Sequence, residues 1–264
     1  MLIRIENVHY TYTQGVRALH GVSLTLHPGE QVALVGANGS GKTTLARHLN
    51  GLLLPSAGEV WVGDWCTRAH SPAHMARRVA YVFQNPDEQL FRRTVWDEVA
   101  FGAQNLGYSR PQVSAYVAQA LDWSGLTECA RLNPRDLGYS GRKRVALASA
   151  LAMQTPALVL DEPTAGLDAG EQQQLSRVLG LLRQANKTVL LISHDMDFVA
   201  ENLERVVLMH QGRVALDAPA ADFFCQEAQL QTAALVAPQI TRLGRALAHP
   251  HPALTVEQFL DRCA

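Results

Sequence analysis

No stretch of the chain approaches the ~20 apolar residues that a membrane-spanning helix needs. The best apolar run, residues 145–153, is far shorter and follows a basic triplet, so it reads as a core helix. Cysteine is scarce: Cys66, Cys129, Cys225 and Cys263 stand apart without CxxC spacing, the pattern of reduced thiols and not of disulfides or a zinc centre. Repeats and low-complexity linkers are missing, and Met1 leads straight into strand-like sequence without a cleavable signal. His249-Pro250-His251 offers two imidazoles to a metal but reads first as polar tail. An excess of one charge is lacking too. The formal net charge of −1 gives no electrostatic reason to expect nucleic acid or an anionic membrane surface as the main partner.

What is present is core-forming material. Of 264 residues, 47% are hydrophobic and 18% charged, enough for one large domain plus a small appendix. Strands are expected at 2–8 and 22–26, and a buried one at 32–35 that runs into a Gly-rich loop and a helix over 42–53. Short strands follow at 58–62 and 79–83. Between 85 and 153 the character becomes helical, with helices predicted at 94–106, 109–123 and 142–153; Ser109 is the N-cap of the second, with Pro111 in its first turn. Strand signals return at 157–160, 189–192, 206–209 and 214–216, separated by helices at 169–184 and 196–202. Strands alternating with helices imply a largely parallel sheet covered on both faces. Beyond Pro219 the sequence is helical or irregular, and Thr255 with Gln258 has the spacing of a capping box.

Gly36-Ala37-Asn38-Gly39-Ser40-Gly41-Lys42-Thr43 matches GxxxxGK[ST], with a buried strand before it and a helix after it, where Thr44 follows. Glycines let the backbone approach phosphate oxygens with its N–H groups, and the helix N-terminus adds positive partial charge. Lys42 is suited to neutralise the β- and γ-phosphates and Thr43 to hold Mg²⁺. The apolar strand ending in Asp161-Glu162 can deliver Asp161 to the metal and Glu162 to the attacking water. His194 ends another strand, suited to the γ-phosphate; Gln84 ends the Tyr81-Val82-Phe83 strand, where an amide could reach Mg²⁺ and water.

In this order the motifs resemble the ATP-binding cassette of ABC transporters, over residues 1–220. The resemblance implies an α/β P-loop NTPase fold with a mixed sheet, a helical subdomain inserted at about 85–153, and a C-terminal helical extension over 221–264. It makes Gln84 the Q-loop residue, Asp168 part of the D-loop, and Glu162 and His194 catalytic. Tyr12 sits where the family places an aromatic on adenine, with Tyr10 a nearby competitor. The segments from Val82 to Phe91 and from Ser193 to Phe198 resemble energy-coupling-factor (ECF) ATPases, which drive uptake of vitamins or of nickel and cobalt ions. The implied ligands are ATP and Mg²⁺. The implied partners are a second cassette (a related chain or a copy of itself) and integral membrane subunits, at the cytoplasmic face of the membrane; Leu90 and Phe91 are candidate docking residues.

One departure stands out. The family signature is usually LSGGQ, whereas ungapped alignment on Arg144-Val145-Ala146 gives Leu137-Gly138-Tyr139-Ser140-Gly141. A shifted register through Ser140-Gly141 would shorten the loop. Because one subunit's signature closes over the other's ATP, the change bears on the partner's site. Three rivals are weaker. A P-loop kinase lacks the serial Q-loop, D-loop and His. A soluble ABC ATPase of DNA repair or translation would need a long insert or a second cassette. A regulatory subunit with little turnover conflicts with Glu162 and His194 at the chain's own site, while the altered signature argues for it in part.

Overall fold

The computed structural model describes residues 1–247 and 253–263, so the His249-Pro250-His251 segment lies outside the described residues. Ten strands form among those described: β1 (Ile3–Thr11), β2 (Arg17–Leu26), β3 (Gln31–Val35), β4 (Ala57–Val62), β5 (Trp65–Cys66), β6 (Val79–Val82), β7 (Ala157–Asp161), β8 (Thr188–Ile192), β9 (Arg205–His210) and β10 (Arg213–Pro219). They make two sheets, a four-stranded one in the order β2-β1-β4-β5 and a six-stranded one in the order β10-β9-β3-β8-β7-β6. The first is antiparallel. The second is parallel except at β10, which pairs antiparallel with β9.

Side-chain alternation explains this layering. Every residue of β3, β7 and β8 is buried, as a parallel strand covered on both faces requires. With period two, Val32, Leu34, Val159, Leu190 and Ile192 enter one core, shared with the antiparallel sheet and with α1 (Lys42–Leu49). Ala33, Val35, Leu158, Leu160, Val189 and Leu191 enter the other. Past the short α2 (Pro72–Met75), that second core is covered by α3 (Val95–Asn105), α4 (Arg110–Trp123), α5 (Tyr139–Ala152), α6 (Ala169–Gln184) and α7 (Met196–Asn202). The chain then continues through α8 (Ala220–Phe223), α9 (Glu227–Thr232), α10 (Gln239–Ala246) and α11 (Val256–Cys263). Phe223 and Phe224 are fully buried and belong to the same core, packed edge to face with centroids 5.2 Å apart. No helix among the described residues is long and apolar enough to cross a membrane, and Cys66, Cys129 and Cys225 are free thiols.

The elements depart from expectation in instructive places. The first strands belong to a separate antiparallel sheet, consistent with Ile3 and Ile5 buried while Arg4 and Glu6 are exposed. Helix α1 stops at Leu49, four residues early, because Asn50 leaves helical geometry and Gly51 takes φ 72°. Helix α5 begins at Tyr139 rather than Arg142, since Gly138 is extended and its carbonyl already accepts the Arg142 N–H at 3.0 Å. At α11 the Thr255 hydroxyl accepts the Gln258 N–H at 3.2 Å, but Gln258 reaches back to the Leu254 N–H, so only half of the reciprocal box forms.

Leu34 is wholly buried between the two sheets. Leu34→Ala should cost about 2–5 kcal/mol of stability, seen as a lower urea midpoint. An unchanged midpoint would show that the inter-sheet core does not hold the fold.

Candidate functional site

Parallel register brings the carboxyl ends of four strands level. Leu34 lies beside Ile192, Ile192 beside Asp161, and Leu160 beside Val82. The loops that leave these ends meet on one edge, the crevice where open α/β sheets bind ligands. A cleft opens there, and Tyr12, Asn38, Gly39, Gly41, Lys42, Thr43, Thr44, Gln84, Glu162 and His194 all line it. Gly36, Ala37, Ser40 and Asp161 do not line it: Gly36, Ser40 and Asp161 are buried, Asp161 only 2% exposed, and Ala37 is partly exposed.

The loop after β3 takes its shape from two glycines. Gly36 has φ 146°, and a Cβ there would collide with the Met209 carbonyl; Gly41 has φ 104°, and a Cβ there would stand 2.8 Å from the Ala18 carbonyl. Lys42 Nζ donates to the carbonyls of Gly36 at 2.8 Å and Ala37 at 3.0 Å, which folds the amine over the loop. Burial lowers its pKa, and the charges of Glu162 and Asp161 oppose that shift. The Thr43 hydroxyl donates to Asp161 Oδ1 at 3.3 Å. Tyr81 donates to Asp161 Oδ2 at 2.8 Å, and burial followed by the Asp161 charge raises its phenol pKa.

Glu162 holds φ 50°, a rare conformation outside glycine, and is 8% exposed. Its Oε2 accepts the His194 backbone N–H at 3.3 Å. The His194 ring Nε2 stands 3.2 Å from Oε1, but the geometry falls short of a hydrogen bond, leaving Oε1 buried without a partner. Burial is the main cause that pushes the carboxyl pKa up to about 7, with Asp161 adding to it; the His194 N–H, Lys42 and Lys143 pull it down. His194 shifts the other way, its pKa lowered by burial and then by Lys42.

Tyr12 shares a 2.8 Å hydrogen bond with Thr44 Oγ1 on the wall of the cleft. Tyr10 packs edge-on to Tyr12 and His48 and does not line it. Asp168 also lies off the cleft and caps α6, accepting the Glu171 N–H at 2.9 Å. The sequence reading missed Val16, Arg17 and Ala18, which line the cleft beside Tyr12 because the turn between β1 and β2 closes on itself, Tyr12 N–H to Val16 carbonyl at 2.9 Å. It also missed Tyr81 and Lys143. Tyr81 pairs with Val159, two residues before Asp161 on β7, and its hydroxyl reaches that carboxylate.

A family model described as ABC transporter matches residues 19–165. The chain belongs to the ABC transporter family. The cassette is 42% identical over 237 residues to an ABC transporter ATP-binding protein of Geobacter sulfurreducens, covering 90% of this chain and 94% of that one. It is 36% identical over 256 residues to an energy-coupling factor transporter ATP-binding protein of Clostridium tetani, covering 94% and 89%. Among solved structures it resembles cbiO1 of Clostridium perfringens, part of the ABC transporter complex cbiONQ, with a TM-score of 0.75, 30% identity, and coverage of 93% and 98%. It also resembles a dimeric ATP-binding cassette in a post-hydrolysis state bound to ADP and Pi, with a TM-score of 0.76, 25% identity, and coverage of 83% and 98%. As a member of this family the protein is an ATP-binding cassette and an ATPase.

The raised pKa of Glu162 should make the cassette less stable at high pH. The folded state holds this proton more tightly than the unfolded chain, so stability falls as pH rises from about 4.5 to about 7 and stays reduced above. Glu162→Gln should therefore stabilise the nucleotide-free protein at pH 8 by roughly 2 kcal/mol and change little at pH 4.5. Thermal midpoints at both values check this; an equal shift at both would mean that burial of the charge is not the cause.

Proposed function

We propose that this cassette is the ATPase subunit of an ECF-type importer, with its own nucleotide site in the cleft at the ends of β3, β6, β7 and β8. The observation that carries the reading is Glu162, which lines the same cleft as Lys42 and His194 and whose buried Oε1 has no hydrogen-bond partner, with the His194 ring Nε2 3.2 Å away. The loop amides and Lys42 hold the β- and γ-phosphates, and adenine stacks on Tyr12. Glu162 orients and activates the attacking water through Oε1, and His194 contacts the γ-phosphate. Thr43, Asp161 and Gln84 present hydroxyl, carboxylate and amide oxygens, the hard donors that suit Mg²⁺, and Thr43 and Asp161 are already within 3.3 Å of each other. When bound, the ion would neutralise charge on the phosphate oxygens.

The relatives named for energy-coupling factor and cbiO1 support an importer acting with membrane subunits, at the cytoplasmic face of the cell membrane. Within the chain, residues 1–220 act as the cassette, with a helical subdomain at 85–153, and 221–264 as an extension. Of the two residues expected to dock on a membrane subunit, Leu90 is withdrawn: it is 6% exposed and faces the helical core. Phe91 remains, 58% exposed and edge-on to Phe101, with the Arg92 guanidinium over both rings.

Two substitutions separate binding from turnover. Lys42→Ala should weaken binding of a fluorescent ATP analogue by at least about tenfold. Glu162→Gln should leave binding intact and lower turnover roughly 10²-fold. Parental affinity in the first or parental turnover in the second removes the corresponding role.

The altered signature adds a pairing rule. Gly138 brings no hydroxyl to the start of α5, Ser140 lies one residue inside the helix, and Tyr139 stands 42% exposed where the family has glycine. A homodimer should therefore hydrolyse ATP slowly, and the native partner would be a related cassette with a complete signature, leaving this chain's Lys42–Glu162 site active. Rebuilding 138–141 as Ser-Gly-Gly-Gln should raise steady-state turnover of the purified chain by about tenfold or more. No gain in a rebuilt chain that still dimerises would overturn the pairing rule.

A further inference from the structure

The residues that stand in for the family signature make contacts inside their own subunit. The Tyr139 hydroxyl donates to the Gln84 carbonyl at 3.4 Å. Its ring lies on Gly166, where an added Cβ would come within 3.0 Å of a ring carbon. Its face meets the Lys143 ammonium, with Nζ 5.5 Å from the ring centroid. Lys143 follows one turn later on α5, is 6% exposed, and donates its amine to the backbone carbonyl of Glu162.

A buried ammonium is costly unless its donors are used. Here the amine acts on the backbone of a non-glycine residue at φ 50°, a conformation that persists only when its surroundings over-determine it. Three other bonds fix this segment: the Glu162 N–H donates to the Ile192 carbonyl at 3.0 Å, Oε2 accepts from His194, and the Glu162 carbonyl accepts the Ala165 N–H at 3.4 Å. Lys143 supplies a fourth, on the same carbonyl as Ala165, and of the four it alone comes from the helical segment between β6 and β7.

We propose that Lys143 is a positioning residue for Glu162, holding its left-handed backbone so that the carboxylate is presented to the cleft, with the Tyr139 ring lying over the lysine but not required for its bond. This rests on the reading of Glu162 as the residue that activates water. The signature loop of this chain is turned towards its own catalytic loop, which accounts for an aromatic where trans contact with a nucleotide needs a bare backbone. Lys143 does not line the cleft and acts through its bond to Glu162.

The test compares Lys143→Met with Lys143→Arg in the full chain. Lys143→Met should lower kcat for ATP hydrolysis about tenfold and leave KM for MgATP within about twofold. Lys143→Arg, which keeps the charge and the donors, should recover part of the loss. Combined with Glu162→Gln, Lys143→Met should lower the rate no further, because the carboxylate that it positions is already gone. Amide exchange across 161–168 should quicken in Lys143→Met, a readout that needs no turnover. Parental kcat with unchanged exchange, or the same fold-loss on the Glu162→Gln background, overturns the role of Lys143. If Glu162→Gln alone hydrolyses ATP at the parental rate, the water-activation reading has failed and takes this inference with it. Should Lys143→Met not fold, Lys143→Gln takes its place with the same outcomes expected.

Discussion

A parallel sheet buried on both faces can carry polar chemistry only where its strands end, and that constraint organises this molecule. Within β3, β7 and β8 each apolar residue is committed to one of two apolar cores. The first positions free to hold charge are Gly36 onward, Asp161-Glu162 and Ser193-His194, which register places on one edge. The nucleotide loop, the acids and the histidine are far apart in sequence but need no special device to meet. The extended loop that follows β6 brings Gln84 to the same edge.

The site carries an electrostatic conflict that the fold tolerates. Lys42, Lys143 and Glu162 are each pushed towards their neutral forms by burial and held back by one another. None would be stable there alone, and the cluster is a network in which each group supplies the countercharge that another lacks. Glu162 adds a strained backbone to a buried carboxylate, so the residue best suited to activate water is also a local weak point in stability.

How much of this could be read from residues follows from the range of each interaction. The phosphate loop was legible because Gly36, Gly41 and Lys42 form one contiguous motif between a strand and a helix. Helices α6 and α7 were legible to the residue, since Asp168 and Asp195 announce their caps. The start of α5 was not, because Gly138 gives no cap signal and Tyr139-Ser140-Gly141 has low helix propensity. Leu90 was misjudged because a 3₁₀ turn at Pro86–Glu88 turns it inward and Phe91 outward, which neighbouring apolar letters do not reveal. Lys143 and Tyr81 escaped notice because their partners lie 19 and 80 residues away.

The buried Phe223–Phe224 pair has an evolutionary consequence. These aromatics fill the core beneath α8, so the last helices are fastened to the cassette by side chains it could not lose without leaving a cavity. A segment anchored in this way is inherited with its host. It can drift in sequence on its outer face, where Leu243 and Leu247 are exposed, but it is poorly suited to being exchanged as a free-standing module between lineages. Diversification of this tail is therefore expected through surface substitution and lengthening beyond the aromatic pair, with the junction itself kept.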